Sequence, residues 1–149
     1  MSNFTGHRNA GLIIGAVIGT ALFTVGKSYG VTQQEIVASV SSVFIFSLFP
    51  DIDIKSTPSK MFYWIIAVTL GYFYYTKDYM VGHTLGMFAV LPQLVRHRGI
   101  FHHPITAIVL PSWIFYLYYV EVVNIKFACM VYVASVIGYF THLFMDRKR

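Results

Sequence analysis

Hydrophobic and polar positions alternate along the chain in long blocks. Six uncharged, largely apolar runs are separated by short polar segments, at residues 9–26, 36–50, 61–76, 79–95, 99–120 and 127–145. Such runs are typical of apolar α-helices, although several are shorter than the roughly 20 residues that span a typical bilayer. Two interpretations compete: six short membrane helices, or fewer spans with some helices buried inside the bundle. We favour six, which predicts an all-α, polytopic helical membrane protein with residues 1–149 as one domain.

Local signals at the ends of the runs support helices. Thr32-Gln33-Gln34-Glu35 is a capping box in front of the second run. Thr57-Pro58 and His103-Pro104 put a proline where the first turn of the third and fifth runs is expected. Pro92 and Pro111 lie inside runs and should kink them, which a membrane bundle tolerates. No convincing small-residue cleavage site follows the first run, so we interpret it as a retained helix.

Composition places the chain in lipid. Hydrophobic residues make up 56% of it, aromatic residues 17% and charged residues 11%, with a mean hydropathy of +0.62. A soluble domain of ordinary composition is excluded, because this chain cannot cover its surface with polar groups. The single cysteine, Cys129, excludes a disulfide scaffold and a cysteine-type zinc site. The expected partner is the lipid bilayer, and we expect no nucleic-acid partner.

The distribution of charge predicts an orientation. When alternate loops are assigned to opposite sides, one side carries eight basic and three acidic residues, and the other carries three of each. By the positive-inside rule the first side is cytoplasmic. Tyrosines gather near the other side, as an aromatic belt at the interface would: Tyr72, Tyr74, Tyr75, Tyr79, Tyr116, Tyr118 and Tyr119.

The same alternation brings potential metal ligands to the cytoplasmic ends of the runs. They are His7, Asp51, Asp53, His97, His102, His142 and Asp146. Imidazole nitrogen and carboxylate oxygen suit zinc, manganese or iron, and ionisable groups at membrane depth are costly unless they serve a function. Seven ligands exceed the four of one structural zinc, which favours two ions, or one ion with supporting groups around it. The alternative to a metal site is a set of unrelated polar groups at the membrane interface.

Helical spacing predicts where some of these side chains point. Four-residue steps put two sets of residues on single helical stripes, Ala134, Gly138, His142 and Asp146 in the last helix and His7, Gly11, Gly15 and Gly19 in the first. Small residues allow close helix approach, so we expect both stripes to be buried. His83 lies towards the opposite face, and hydrogen bonding within the bundle is its expected role.

Four motifs spread over nearly the whole chain carry a family resemblance. They are Thr5-Gly6-His7, Leu48-Phe49-Pro50-Asp51-Ile52-Asp53, His97-Arg98-Gly99-Ile100-Phe101-His102, and the segment from Gly138-Tyr139 through Thr141-His142 to Asp146. Through them the chain resembles the LexA-regulated, inner-membrane, metal-dependent hydrolases. It departs from their usual pattern at Ile54, where they have His, at Phe101, where they have Thr, and at His103, where Ser is common.

The resemblance implies a bacterial or phage-encoded protein of the inner membrane, with hydrolase activity and a site facing the cytoplasm. More distantly, the family is similar to the all-helical zinc phospholipases C, which suggests phosphoester hydrolysis by analogy. His103 is a possible replacement for the ligand missing at position 54.

The sequence therefore predicts a membrane-bound hydrolase that uses metal-activated water. The metal is a divalent ion, with zinc favoured over manganese or iron, in one or two copies. Asp53 is the expected general base, and Arg98 would stabilise charge on the transition state unless it faces lipid headgroups instead. An anionic lipid or a lipid-linked phosphate is the expected substrate. The alternatives are a transporter for metal ions or protons, a structural membrane protein, and haem ligation by two histidines.

Overall fold

The described part of the chain is entirely helical. A computed structural model describes residues 4–52, 57–77, 79, 82–83, 86–87, 89–90, 100–122 and 125–147. These residues form five α-helices: α1 (Phe4–Thr24), α2 (Gln33–Leu48), α3 (Thr57–Tyr75), α4 (Thr106–Val122) and α5 (Ile125–Arg147). Short 3₁₀ turns occupy Gly26–Tyr29, Phe49–Asp51 and Ile100–His102. Since no strand occurs in these ranges, the predicted all-α class is confirmed.

Two compact units make up the chain. The first combines residues 1–49 with residues 103–149, and the second is residues 50–102. In the first unit α2 packs against both α1 and α5, while α5 also contacts α1 and α4. In the second unit, helical residues recur between positions 79 and 90 beside α3, with Gly82 close to Phe73 and Gly86 close to Leu70.

Both predicted small-residue stripes are buried in the first unit. On α5, Ala134 and Gly138 are buried and His142 is fully buried, whereas Asp146 at the end of the stripe is 32% exposed. On α1, His7, Gly11 and Gly15 are buried and Gly19 is partly buried. This part of the sequence prediction is therefore confirmed. Close packing of the small residues lets α1 and α5 approach α2 directly.

Large apolar side chains cover the outside of the helices. Leu12, Ile13 and Val17 on α1, and Trp64 and Val68 on α3, are all more than half exposed. Among the described residues, only α5 is both long enough and apolar enough to cross a membrane by itself. The arrangement of six spans stays a prediction.

Of the three sequence signals that predicted where a helix begins, two were right. The capping box at Thr32 is present, and α3 begins at Thr57. The helix after Pro104 begins later than expected, at Thr106, because Pro104 and Ile105 form a turn, with hydrogen bonds from Thr106 N to His103 O and from Ala107 N to Pro104 O. Pro111 lies inside α4 as predicted, while Pro92 lies outside the described residues.

A polar clasp closes the end of the first unit where α2 and α5 begin. Thr32 N donates to Glu35 Oε2 at 2.6 Å, and Glu35 N donates to Thr32 Oγ1 at 3.2 Å. Lys126 Nζ donates to the carbonyl of Gly30 at 2.8 Å and lies 3.5 Å from Glu35 Oε1. Gly30 has a φ of 66°, a backbone conformation that favours glycine. The clasp thus ties the turn between α1 and α2 to the start of α5.

The clasp also shifts the titration of Glu35, which precedes the apolar run of α2. The hydrogen bond from the Thr32 backbone, supported by the Thr32 hydroxyl and the positive charge of Lys126, outweighs burial and lowers the pKa of Glu35 below its ordinary value of 4.5. Ionised Glu35 therefore stabilises the fold. That contribution is complete above pH 4.5 and is lost as the pH falls through the lower, folded pKa.

We expect Glu35→Gln to lower the unfolding free energy in detergent by about 1 kcal/mol at neutral pH, since the cap weakens and the ion pair is lost. Thermal unfolding followed by circular dichroism between pH 3 and pH 7 measures this. The variant should lose less stability on acidification than the unmodified protein. The exposed neighbour Gln34 provides the control, because Gln34→Ala should keep the acid dependence. Identical acid profiles for Glu35→Gln and the unmodified protein would contradict this account.

Candidate functional site

Two histidines and one carboxylate meet at the other end of the first unit, where α1 begins and α5 ends. The rings of His7 and His142 stack, with their centroids 4.0 Å apart and their planes 18° from parallel. His7 Nε2 lies 3.2 Å from Asp146 Oδ1, and His142 Nε2 lies 3.4 Å from Asp146 Oδ2. His142 and Asp146 are one turn apart on α5, so the helix itself sets their spacing. One carboxylate therefore faces the Nε2 atoms of both rings.

The end of α2 orients His142. His142 Nδ1 lies 2.9 Å from the carbonyl oxygen of Ser47. A carbonyl oxygen only accepts hydrogen bonds, so Nδ1 carries the proton, and in the neutral ring Nε2 then holds a lone pair. That lone pair is directed towards Asp146. Histidines that bind metals almost always donate their other ring N–H to a carbonyl or carboxylate in this way.

Three buried aromatic side chains pack together on the turns of α2 and α5 that neighbour the cluster along the chain. Tyr139, one turn before His142 on α5, is fully buried, and Phe49 at the end of α2 is 1% exposed. Their ring centroids are 6.5 Å apart, and Phe46 lies 6.3 Å from Tyr139 and 5.8 Å from Phe49. The two imidazoles are likewise buried, at 1% and 0% exposed, while Asp146 is 32% exposed. In such a low-dielectric site, electrostatic interactions are stronger than in water.

The distances in the cluster fit a shared cation. A lone pair facing a carboxylate oxygen is repulsive unless a proton or a cation lies between them. Charge-assisted hydrogen bonds between nitrogen and oxygen favour about 2.7–2.9 Å. Nitrogen and oxygen ligands about 2.0–2.1 Å from a tetrahedral zinc ion are instead about 3.3 Å from each other. The observed 3.2 and 3.4 Å are compatible both with long ion pairs and with ligands of one ion. Imidazole nitrogen and carboxylate oxygen are a donor set that suits a divalent metal ion.

A second pair of predicted ligands lies in the second unit. Asp51 Oδ1 and His102 Nε2 are 3.9 Å apart, with the side chains 23% and 16% exposed. Each residue is the last of a 3₁₀ turn, Phe49–Asp51 or Ile100–His102. The distance is too long for a hydrogen bond, and it is also longer than the separation of about 3.3 Å between two ligands of a tetrahedral zinc ion.

The remaining predicted residues are not part of either group. Asp53, His97 and Arg98 lie outside the described residues, so their assigned roles stay predictions. His103 Nδ1 accepts a hydrogen bond from Ile105 N at 3.3 Å, which gives it a role in the turn before α4. His83 is exposed, whereas the sequence interpretation put it inside the bundle.

The role of the Ser47 carbonyl in orienting His142 was not predicted from the sequence. Every residue has a backbone carbonyl, so no residue type marks the one that a ring will meet. The spacing offered a weak hint, because Ser47 lies in the last turn of α2, four residues before Asp51. Only the packing of α5 on α2 brings that carbonyl to the ring.

Helices with apolar exteriors and a buried histidine–carboxylate cluster at one end define the class as an all-helical membrane protein with a polar site. The chain matches the model of the YdjM inner membrane protein family over residues 2–147, and it belongs to that family. The protein is thus an inner-membrane protein, as the sequence predicted. Comparisons with curated proteins and with solved structures gave no match.

Proposed function

We propose that this protein is a membrane-bound, metal-dependent hydrolase. The observation that supports the proposal is the convergence of two buried imidazoles on one carboxylate, with His7 Nε2 and His142 Nε2 at 3.2 and 3.4 Å from the oxygens of Asp146. Zinc is the favoured ion, with manganese or iron as alternatives. A metal ion bound here would lower the pKa of a bound water to about 7 and so supply hydroxide at neutral pH.

The roles of the chain's own residues follow from their positions. His7 and His142 would bind the ion through Nε2. The Ser47 carbonyl keeps the His142 proton on Nδ1, so that Nε2 carries no proton. Asp146 is one-third exposed and so is open to substrate and solvent, whereas His7 and His142 are buried. Asp53 as general base and Arg98 as a stabiliser of developing charge remain part of the proposal.

The ligand set predicted from the sequence is larger. It also contains Asp51, Asp53, His97 and His102, for one or two ions in all, and these residues remain part of the proposal. Ligand number argues for this, because three side chains leave a tetrahedral or octahedral ion short of partners unless water fills the remaining positions.

The proposed substrate is an anionic lipid or a lipid-linked phosphate. Two guanidinium groups, those of Arg8 and Arg147, are exposed beside His7 and Asp146. In the proposed topology of six spans, this end of the helices faces the cytoplasm at headgroup depth. Arginine binds phosphate oxygens in a bidentate manner, so a phosphate group at the mouth of the site is the natural ligand for such a rim.

The metal content of variants tests the ligand assignment. We expect His7→Ala, His142→Ala and Asp146→Asn each to weaken zinc binding at least tenfold, because each removes a ligand. Elemental analysis and competition with a chromogenic chelator measure this on protein in detergent. His83→Ala, which removes an exposed imidazole, is the matched control and should bind normally. Equal metal content in all four variants would show that the cluster does not bind metal.

The number of ions follows from a second set of variants. If Asp51 and His102 bind a separate ion, Asp51→Ala and His102→Ala should leave one of two ions bound. If they share the ion of His142, the same substitutions should remove the only ion. Full metal content in both variants would exclude Asp51 and His102 from the ligand set.

Reporter fusions test the topology. Tags after Arg149 or near Lys55 should be cytoplasmic, and tags at Lys77 or Lys126 should be on the other side, as the loop charges predict. Accessibility to a membrane-impermeant reagent in cells measures this. Labelling of Lys55 and Lys77 from the same side would contradict the six-span proposal.

Turnover and flux distinguish a hydrolase from a metal transporter. Purified protein with zinc or manganese should cleave a phosphoester in a panel of anionic lipids and model substrates, and Asp146→Asn should lower the rate at least a hundredfold. Vesicles containing the protein should pass no more metal than empty vesicles. Metal flux that is lost in Asp146→Asn, with no cleavage of any substrate, would favour the transporter instead.

A further inference from the structure

Two glycines lie one helical turn from the stacked histidines. Gly11 follows His7 by four residues on α1, and Gly138 precedes His142 by four residues on α5. Each glycine therefore shares a helix face with its histidine. Both faces are packed on α2.

At both glycines α2 is too close for a side chain. A Cβ at Gly11 would overlap Ser47 Oγ and lie 3.0 Å from Ser47 Cβ. A Cβ at Gly138 would overlap the carbonyl oxygen of Val43 and lie 3.0 Å from its Cα. Val43 and Ser47 are themselves one turn apart, so α1 and α5 press on the same short stretch of α2.

The same stretch of α2 also contacts the histidine cluster. Ser47 presents its side chain to Gly11 and its carbonyl to His142 Nδ1. A shift of α1 or α5 away from α2 would therefore change the stacking of His7 on His142 and their distances to Asp146. Displacements of about 1 Å are large compared with the tolerance of a metal or catalytic site.

We propose that Gly11 and Gly138 are positioning residues for the histidine pair. They set the depth and register of α1 and α5 on α2, so that the two imidazoles stack and present Nε2 to one carboxylate. The metal readout below rests on the proposed function. The geometry of the two rings does not, because it exists in the protein before any ion binds.

The chain provides matched controls on α1. A Cβ at Gly15 would lie 3.5 Å from Val40 Cγ1, an ordinary van der Waals contact, although Gly15 is only one turn from Gly11. A Cβ at Gly19 would lie 3.0 Å from Val40 Cγ2, a tight contact two turns farther from the site than Gly11. Gly15→Ala thus controls for the substitution itself, and Gly19→Ala controls for tight packing at a distance.

The experiment compares Gly11→Ala, Gly15→Ala and Gly19→Ala in detergent, using the ¹⁵N resonances of the histidine rings without metal and then the affinity for cobalt(II). We expect Gly11→Ala alone to shift the ring resonances of His7 and His142, assigned with His7→Gln and His142→Gln, and to weaken cobalt binding about tenfold or more. Gly138→Ala should do the same from the other helix, and it is the second test if Gly11→Ala does not fold.

Removal of the opposing atoms should rescue the defect. In Gly11→Ala, the further change Ser47→Ala removes Oγ, and Ser47→Gly also removes Cβ, while both keep the carbonyl that orients His142. Ring resonances and cobalt affinity should therefore return in steps towards those of the Ser47 single variants. Such rescue would not follow from a general loss of stability.

Two results would overturn the proposal. One is a Gly11→Ala variant whose histidine resonances match those of Gly15→Ala and Gly19→Ala. The other is a set of changed resonances that neither Ser47 substitution restores. If the unmodified protein binds no cobalt or zinc, the proposed function fails, but the comparison of ring resonances still decides the role of the glycines.

Discussion

The hydrogen bond between His142 Nδ1 and the Ser47 carbonyl links the fold to the site. It joins the end of α2 to the last turns of α5, and it determines which nitrogen of the ring is available to Asp146. The stacked His7 ring then requires α1 to lie close on the same side. The Ser47 carbonyl reaches His142 only because α1, α2 and α5 pack together. The chemistry at Nε2 of His142 in turn depends on that carbonyl, because it holds the proton on Nδ1.

The surroundings of the cluster explain how polar groups persist in so apolar a chain. The imidazoles are buried near the ends of helices rather than at their middles. The carboxylate remains partly exposed, so its negative charge is not fully desolvated. The imidazole rings are therefore shielded from solvent, while the carboxylate of Asp146 is accessible to it.

Helical periodicity predicted much of this arrangement from the sequence. Four-residue steps identified the buried faces of α1 and α5, and the capping box marked the start of α2, because both depend on local geometry. The stacking of His7 on His142 and the Ser47 acceptor were not predictable, since they depend on which turns of different helices meet. The start of α4 was misplaced because Pro104 initiates a turn before the helix rather than its first turn.

The clasp formed by Lys126 and Glu35 ties the helices together at one end of the first unit. The histidine cluster, whose geometry determines the site, lies at the other end. Helix α2 has 16 residues, so at about 1.5 Å per residue the clasp and the histidines are about 24 Å apart. Over that length, a change of about 3° in the angle between helices moves the far end by about 1 Å. The clasp therefore acts as a pivot, because a small change of angle at one end of α2 displaces the histidines at the other end by about 1 Å.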